Sequence, residues 1–203
     1  MLPATLLADR GPGVAWGKRA MGGVVHDDKD VLAELLARVA QLERQVERLT
    51  DERMILELLA RYGFNADLAR DEEWLALWTA DGRFEVQRPD DFHDPALRGS
   101  RRFDGADGLR AFITDPEAHH GPGYGRRIHV QALNPVIHID GAEAVVNDNW
   151  MVLLRDEGQV KVLAAGNDQW RVQKVDGQWR FVERRICHIG SPGYLTNVDA
   201  TPD

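Results

Sequence analysis

Four long runs rich in β-branched and aromatic residues, 127–139, 144–155, 160–175 and 179–189, follow one another with almost nothing between them. The breaks are Asp140-Gly141, Asp156-Glu157-Gly158 and Asp176-Gly177. Glycine accepts the positive φ of a tight turn, so Asp-Gly between apolar runs predicts antiparallel hairpins. A meander of long strands has an apolar face to cover, and the helical patterns upstream are what can cover it. The expected fold is therefore α+β, with a curved sheet closed by helices and a pocket between the two layers.

Bulk properties narrow the partners. The 203 residues carry a formal charge of −8, the wrong sign for a surface that must neutralise phosphates, so no nucleic-acid partner is expected. The apolar content of 43% is enough for a real core, yet no apolar run approaches the ~18–20 residues that span a bilayer. Cys187 is the single cysteine, which rules out a disulfide within the chain and fits a reducing, cytoplasmic setting. The short apolar patch at 1–8 lacks a basic segment and ends at Asp9-Arg10, so it does not read as a signal peptide. Residues 1–30 are Gly-rich and aperiodic, a flexible leader within which Met21 is an alternative start.

Periodicity begins at residue 31. Leu32, Leu35, Val39, Leu42, Val46 and Leu49 alternate steps of three and four between charged residues, a heptad-like seam over 31–50. Such a helix cannot bury its seam alone, and pairing with another subunit is the favoured expectation over packing on its own domain. Thr50-Asp51-Glu52 marks a break or restart, since Thr and Asp cap helices well. A second helix is expected over 51–69, with Ile55, Leu56, Leu59, Tyr62 and Ala66 as its apolar stripe. A short helix over 72–79 follows, with Trp74, Leu75 and Trp78 inward, and then a first strand at 83–88. Residues 89–102 are expected to form a loop over the pocket mouth, and 106–113 another short helix. Asp115-Pro116-Glu117 reads as a helix start. The tail, 191–203, is polar and expected to fray.

Few residues carry chemistry on their own. Asp67 lies at the edge of the helical stripe, one turn beyond Gly63; it is either a solvated residue near a helix end or a partly desolvated base. His129 sits in an otherwise apolar strand, where an imidazole needs a partner for at least one nitrogen. A carboxylate on the covering helix is one such partner, backbone or water another. The adjacent His119 and His120 diverge and are poor joint metal ligands; His138 and His188 read as surface or packing residues, and Cys187 as core. Asp148, between Asn147 and Asn149, fits either a polar pocket or a charged edge strand. Trp150 and Trp170, in adjacent strands, fit either a cavity wall or the core. Of Arg184 and Arg185 only one can point inward. Phosphate loops, nucleophile elbows and His-Glu-x-x-His are absent, so neither cofactor nor metal is expected.

In order, the chain offers a charged seam, the run from Arg53 to Tyr62, Asp67, Trp74, Asp81-Gly82, Phe103-x-Gly105, Asp140-Gly141, Ala165-Gly166, Asp176-Gly177-x-Trp179-Arg180-Phe181 and Glu183-Arg184-Arg185. This order and spacing resemble the SnoaL-like branch of the nuclear transport factor 2-like superfamily, over roughly residues 31–189. The resemblance implies a cone over about 51–190: a curved mixed sheet wrapped around helices and enclosing an apolar pocket, with the N-terminal helix as an extension. In dehydratase and dehydrochlorinase relatives an Asp late in the first long helix pairs with a His at the start of a central strand. The resemblance carries those roles onto Asp67 and His129, and Arg184 matches an arginine that some relatives place in the pocket. Two departures stand out. Trp170 occupies a position where relatives often have Asp, and the segment from His129 to Asn134 is one residue long, which predicts a bulge near Pro135. The function expected is a cofactor-independent lyase or isomerase acting on a small apolar cyclic molecule. Tyr62 or Asp148 would bond a substrate oxygen, and Trp74, Trp78, Trp150, Trp170 and Arg184 would shape the site. The alternative is a non-catalytic ligand-binding or structural subunit, such as the small subunit of a ring-hydroxylating dioxygenase. A homo-oligomer, dimer or trimer, is expected.

Overall fold

The structure, a computed structural model, describes residues 28–92, 94–116, 120 and 125–197. Residues 1–27 of the expected leader, Glu117 of the expected helix start and His119 lie outside the described residues; 28–30 are already helical, and Asp115 and Pro116 are not. The chain divides into two units, Met1–Leu42 and Glu43–Asp203. The described part of the first, 28–42, is helical, and its seam residues Leu32, Leu35, Val39 and Leu42 are exposed.

Helix α1 runs Asp28–Asp67, so the break expected at Thr50-Asp51-Glu52 does not occur. Thr50 bonds back to the Val46 carbonyl instead of capping. Asp51 is buried and accepts from the Trp179 indole (2.9 Å) and the Lys174 ammonium (2.7 Å), which tie this turn to the sheet. From here the apolar stripe is covered except at Leu56, which is exposed because it lies off the buried face: Ile55, Leu58, Leu59 and Tyr62 are buried against the sheet. Full burial of Ile55 or Leu59 is worth about 1.5–3 kcal/mol each, which holds this part of the helix down.

Helix α2 spans Asp71–Leu75 and ends earlier than expected; Trp78 and Thr79 already belong to strand β1, Trp78–Arg88. The expected loop also holds more structure than the sequence indicated. After a 3-10 turn, Pro95–Leu97, strand β2, Gly99–Asp104, pairs antiparallel with β1, and helix α3 covers Gly105–Ile113. The long runs downstream form the bulk of the sheet: β5 (Glu143–Asp156), β6 (Gln159–Val175) and β7 (Gln178–His188), with antiparallel hairpins at the predicted turns. The first run is split into β3 (Arg127–Val130) and β4 (Val136–Asp140), both paired to β5.

The sheet is mixed and open, in the order β2-β1-β7-β6-β5-β3, with β4 also on β5. Among the described residues only the β1–β7 pair is parallel. Register shifts at Val152/Leu153 and Arg171/Val172 bend the long strands, as bulges do. At the middle of β6 the strands come close: a Cβ on Gly166 would overlap the Cys187 carbonyl. The bent sheet wraps one aromatic core, in which Tyr62 meets Trp74, Trp170 and Phe181 with ring centroids 5.2–5.9 Å apart. The described part of the tail, 191–197, is better held than expected, because Asn197 donates to Asn167 and to the Arg185 carbonyl, and Asn167 donates to the Tyr194 carbonyl.

Candidate active site

Asp67 owes its position to the way α1 stops. Ala69 takes a left-handed conformation (φ 50°), and the Arg70 N–H reaches back to the Asn65 carbonyl at 2.9 Å, a Schellman-type ending in which glycine is the usual residue. That fixes Asp67 in the final turn. One turn earlier, Gly63 brings the helix hard against β3: a Cβ there would lie 3.0 Å from the His129 carbonyl oxygen. The absent side chain is what lets a short carboxylate reach the strand.

The reach is complete. His129 Nδ1 lies 2.6 Å from Asp67 Oδ1, and the His129 backbone N–H donates to Oδ2 at 2.9 Å. An ionised carboxylate only accepts, so the ring nitrogen facing it carries the proton, and the basic lone pair of the neutral imidazole lies on Nε2. Both side chains are about one-seventh exposed, 14% for Asp67 and 15% for His129.

His129 lines a cavity of about 190 Å³. Its apolar wall includes Phe84, Val86, Phe112, Trp150, Val152 and Ile186. Tyr62, Arg184, Gln131, Arg88, Arg127 and His188 supply the polar part. Burial pushes the Tyr62 phenol up to about 12, against the lowering effect of Arg184, so at neutral pH it keeps its proton and can donate.

Behind the wall lies a second charged group. Arg184 and Asp168 are joined at 2.5 Å, with side chains only 2% and 0% exposed. The guanidinium sits 4.1 Å from the Trp170 ring centre and 4.4 Å from that of Tyr62. It also donates to Gln131 Oε1 at 3.0 Å. Burial works most strongly against the Arg184 charge, but Asp168, Tyr62 and Asp148 together outweigh it and hold the guanidinium above its usual range. Asp148 stands across from Asp168 in the β5–β6 register. Burial first, and then the Asp168 charge, pushes the Asp148 carboxyl up to about 8. Burial likewise pushes Asp168 up to about 6, against the pull of Arg184.

The structure thus separates the residues singled out in the sequence. His129, Tyr62, Trp150 and Arg184 line one cavity, and Asp67 stands behind His129, bonded to its ring. Trp74, Trp78 and Trp170 are core residues, not wall residues, because the aromatic cluster around Tyr62 absorbs them. Asp148 is neither on an edge nor on the cavity wall. It accepts from the Ala132 N–H (2.8 Å) and the Trp170 indole (3.3 Å), and so replaces a missing strand partner where β3 breaks from β4. Ala132 has φ 53° there, the irregularity expected near Pro135. Asn149 completes the repair, accepting from Leu133 N–H and donating its own N–H to Asn134. The polar run Asn147-Asp148-Asn149 is therefore architecture. Of the histidines, His120 pairs with Asp71, His138 is exposed, and His188 packs on Trp150 and Phe92 while lining the cavity. Arg127 and Gln131 were missed, although their spacing of two from His129 places them on its face of the chain. Arg88, at the end of β1, had no such signal. Among the described residues no group of three or more metal-type side chains occurs, and no helix is long and apolar enough to cross a membrane.

Comparison with known proteins agrees with this architecture. An NTF2-like protein with a cystatin-like fold from Novosphingobium aromaticivorans superposes with a TM-score of 0.63 at 21% identity, covering 86% of this chain and 98% of the other. A candidate scytalone dehydratase from the same organism superposes at 0.51 with 24% identity, over 70% of this chain and 85% of that one. The β subunit of a candidate aromatic-ring-hydroxylating dioxygenase, also from that organism, superposes at 0.56 with 19% identity, over 70% and 90%. No curated protein matches the sequence. A SnoaL-like domain matches residues 47–185, a span that holds the helix end with Asp67, the strand with His129 and the buried Arg184, and the chain belongs to the SnoaL-like family.

Proposed function

We propose that the protein is a cofactor-independent lyase or isomerase in which His129 is the general base and Asp67 its orienting partner. The observation that carries this reading is the 2.6 Å Nδ1–Oδ1 bond on the wall of a largely apolar cavity. Asp67 is held from two sides by one residue, through its ring and its backbone N–H, so the imidazole is fixed in both tautomer and direction. Nε2 takes a proton from a carbon next to an activating group, and the carboxylate steadies the imidazolium that forms. Departure of a leaving group from the neighbouring carbon, or return of the proton elsewhere, completes an elimination or a double-bond shift. The Tyr62 hydroxyl is the donor placed to bond a substrate oxygen. General acid–base help of this kind is worth roughly 10²–10⁴-fold in rate. The test is turnover by folded His129→Gln and Asp67→Asn proteins, on a panel of cyclic β-hydroxy ketones and halocycloalkanes that the wild type converts. Loss of about 10²-fold or more in the His129 variant is expected; activity within a few-fold of wild type in both variants would remove the mechanism.

A second reading, a structural subunit, is supported by the exposed stripe Leu32, Leu35, Val39, Leu42, Val46 and Leu49 and by the likeness to a dioxygenase β subunit. In that reading the stripe serves assembly. Co-purification with a larger iron–sulfur protein decides for it, and a monodisperse homo-oligomer that turns over substrate decides against it.

A further inference from the structure

The charge of the cavity runs against the charge of the chain. The chain carries a net −8, yet three arginines (Arg88, Arg127 and Arg184) and two histidines line the cavity, and among the described residues no carboxylate does. Arg184 is paired with Asp168, Arg127 feels the charge of Asp67, and Arg88 that of Asp94. Arg88 stands out by its geometry. It is half-buried at the end of β1, one Nη group donates to the Leu97 carbonyl at 3.3 Å, and the guanidinium lies 5.4 Å from the centre of the Phe92 ring. Its Nε is buried without a hydrogen-bond partner, and no carboxylate forms an ion pair with it among the described residues. Burial, with Arg101 nearby adding to it and Asp94 opposing, brings this arginine down to about 10. A buried guanidinium nitrogen with no hydrogen-bond partner is costly, and a bound anion would satisfy it.

We propose that the cavity binds an organic anion, a small aromatic or alicyclic carboxylate whose charged group meets the Arg88 guanidinium while its ring lies against the apolar wall around Phe112 and Trp150. A planar carboxylate matches the guanidinium fork and replaces the water that burial removed. This rests on the cavity being the substrate site and narrows the substrate of the proposed reaction to an acid.

The experiment is a set of titrations of the full chain followed by tryptophan fluorescence, which Trp150 on the wall reports. The probes are benzoate, cyclohexanecarboxylate and 1-naphthoate, each against its uncharged amide. At least one carboxylate is expected to bind about tenfold or more tightly than its amide, the scale of a charge-assisted hydrogen bond. Arg88→Gln is expected to abolish that preference, and Arg88→Lys to keep the larger part of it, with folding checked by circular dichroism. Equal binding of acids and amides, no carboxylate binding below about 10 mM, or a preference that survives Arg88→Gln would each overturn the proposal. His129→Gln separates the two readings. If it binds the carboxylate like the wild type, the anion site stands whatever becomes of the base; if it loses turnover while the amides bind as well as the acids, the base stands without the anion site.

Discussion

Two carboxylates of this domain are each bonded to a nitrogen group, and the two pairs differ in the properties that decide whether a pair does chemistry or holds structure. Asp67 and His129 join a helix end to a strand and keep about a seventh of their side-chain surface, and His129 lines a cavity. Asp168 and Arg184 join two neighbouring strands, keep almost no surface, and are packed between aromatic rings. The nitrogen partner in the first pair is an imidazole, a side-chain type that can give and take a proton; that in the second is a guanidinium, which holds its protons throughout. A carboxylate beside an imidazole at a cavity can help move a proton, whereas a carboxylate locked to a buried guanidinium can only neutralise it. The same residue type therefore serves two ends, and the partner and the exposure decide which.

The comparison breaks most visibly in stability. Arg184→Met leaves Asp168 buried without its counter-charge and strips Gln131 of its donor, so a loss of about 3–5 kcal/mol is expected, read from urea unfolding. His129→Gln removes a partly exposed partner and is expected to change that stability by no more than about 1 kcal/mol. Similar losses from both substitutions would mean that the outer pair is structural as well.

A second, smaller effect sharpens the account of the inner group. Asp148 and Asp168 face each other, and both carboxyls are pushed up, to about 8 and about 6. Groups raised in the folded state bind more protons there than in the unfolded chain, so protonation favours folding. Their contribution is fully present below the ordinary carboxylate range, near 4, and is lost as pH rises through about 6 and then about 8. Stability is expected to fall by at least about 1 kcal/mol between pH 5 and pH 8. Asp148→Asn costs part of the hydrogen bonding to Ala132 and Trp170, but it is expected to flatten this slope. A slope unchanged in that variant would assign the pH dependence elsewhere.

What the sequence made legible follows the same division. The hairpins announced themselves, because Asp-Gly turns between β-branched runs have few other uses, and the second half of the Tyr62 stripe lay on the buried face as periodicity requires. Asp67 and His129 were each ambiguous as residues, and the family resemblance proposed them as partners because each belongs to a regular element whose place the fold fixes. Asp148 could not be read correctly: its role is to satisfy one N–H of an irregular backbone, and only the break between β3 and β4 reveals that need. Trp74, Trp78 and Trp170 were misplaced because hydrophobicity marks a residue as inside without saying whether it meets a cavity or another ring. Strand β2 was missed for a similar reason. Its burial alternates between half-buried and exposed, so its polar residues read as loop, while its pairing with β1 is a long-range fact.

The smallest effect tests the spacing that makes the outer pair. A methyl group at Gly63 would stand 3.0 Å from the His129 carbonyl oxygen and 3.5 Å from His129 Cβ, so helix and strand must part by a few tenths of an ångström. Alanine is the better helix former by about 0.8–1 kcal/mol, which offsets the steric cost. Gly63→Ala is therefore expected to leave urea unfolding nearly unchanged while lengthening the 2.6 Å bond between Asp67 and His129. Proton NMR of the His129 Nδ1–H reads this directly: a weaker bond moves the resonance upfield. Turnover is expected to fall with it, by less than about tenfold, because misplacement of a catalytic group by a full ångström costs about 10²-fold and this shift is smaller. An unmoved resonance would show that the helix end has slack, and that something other than the close approach at Gly63 sets the pair.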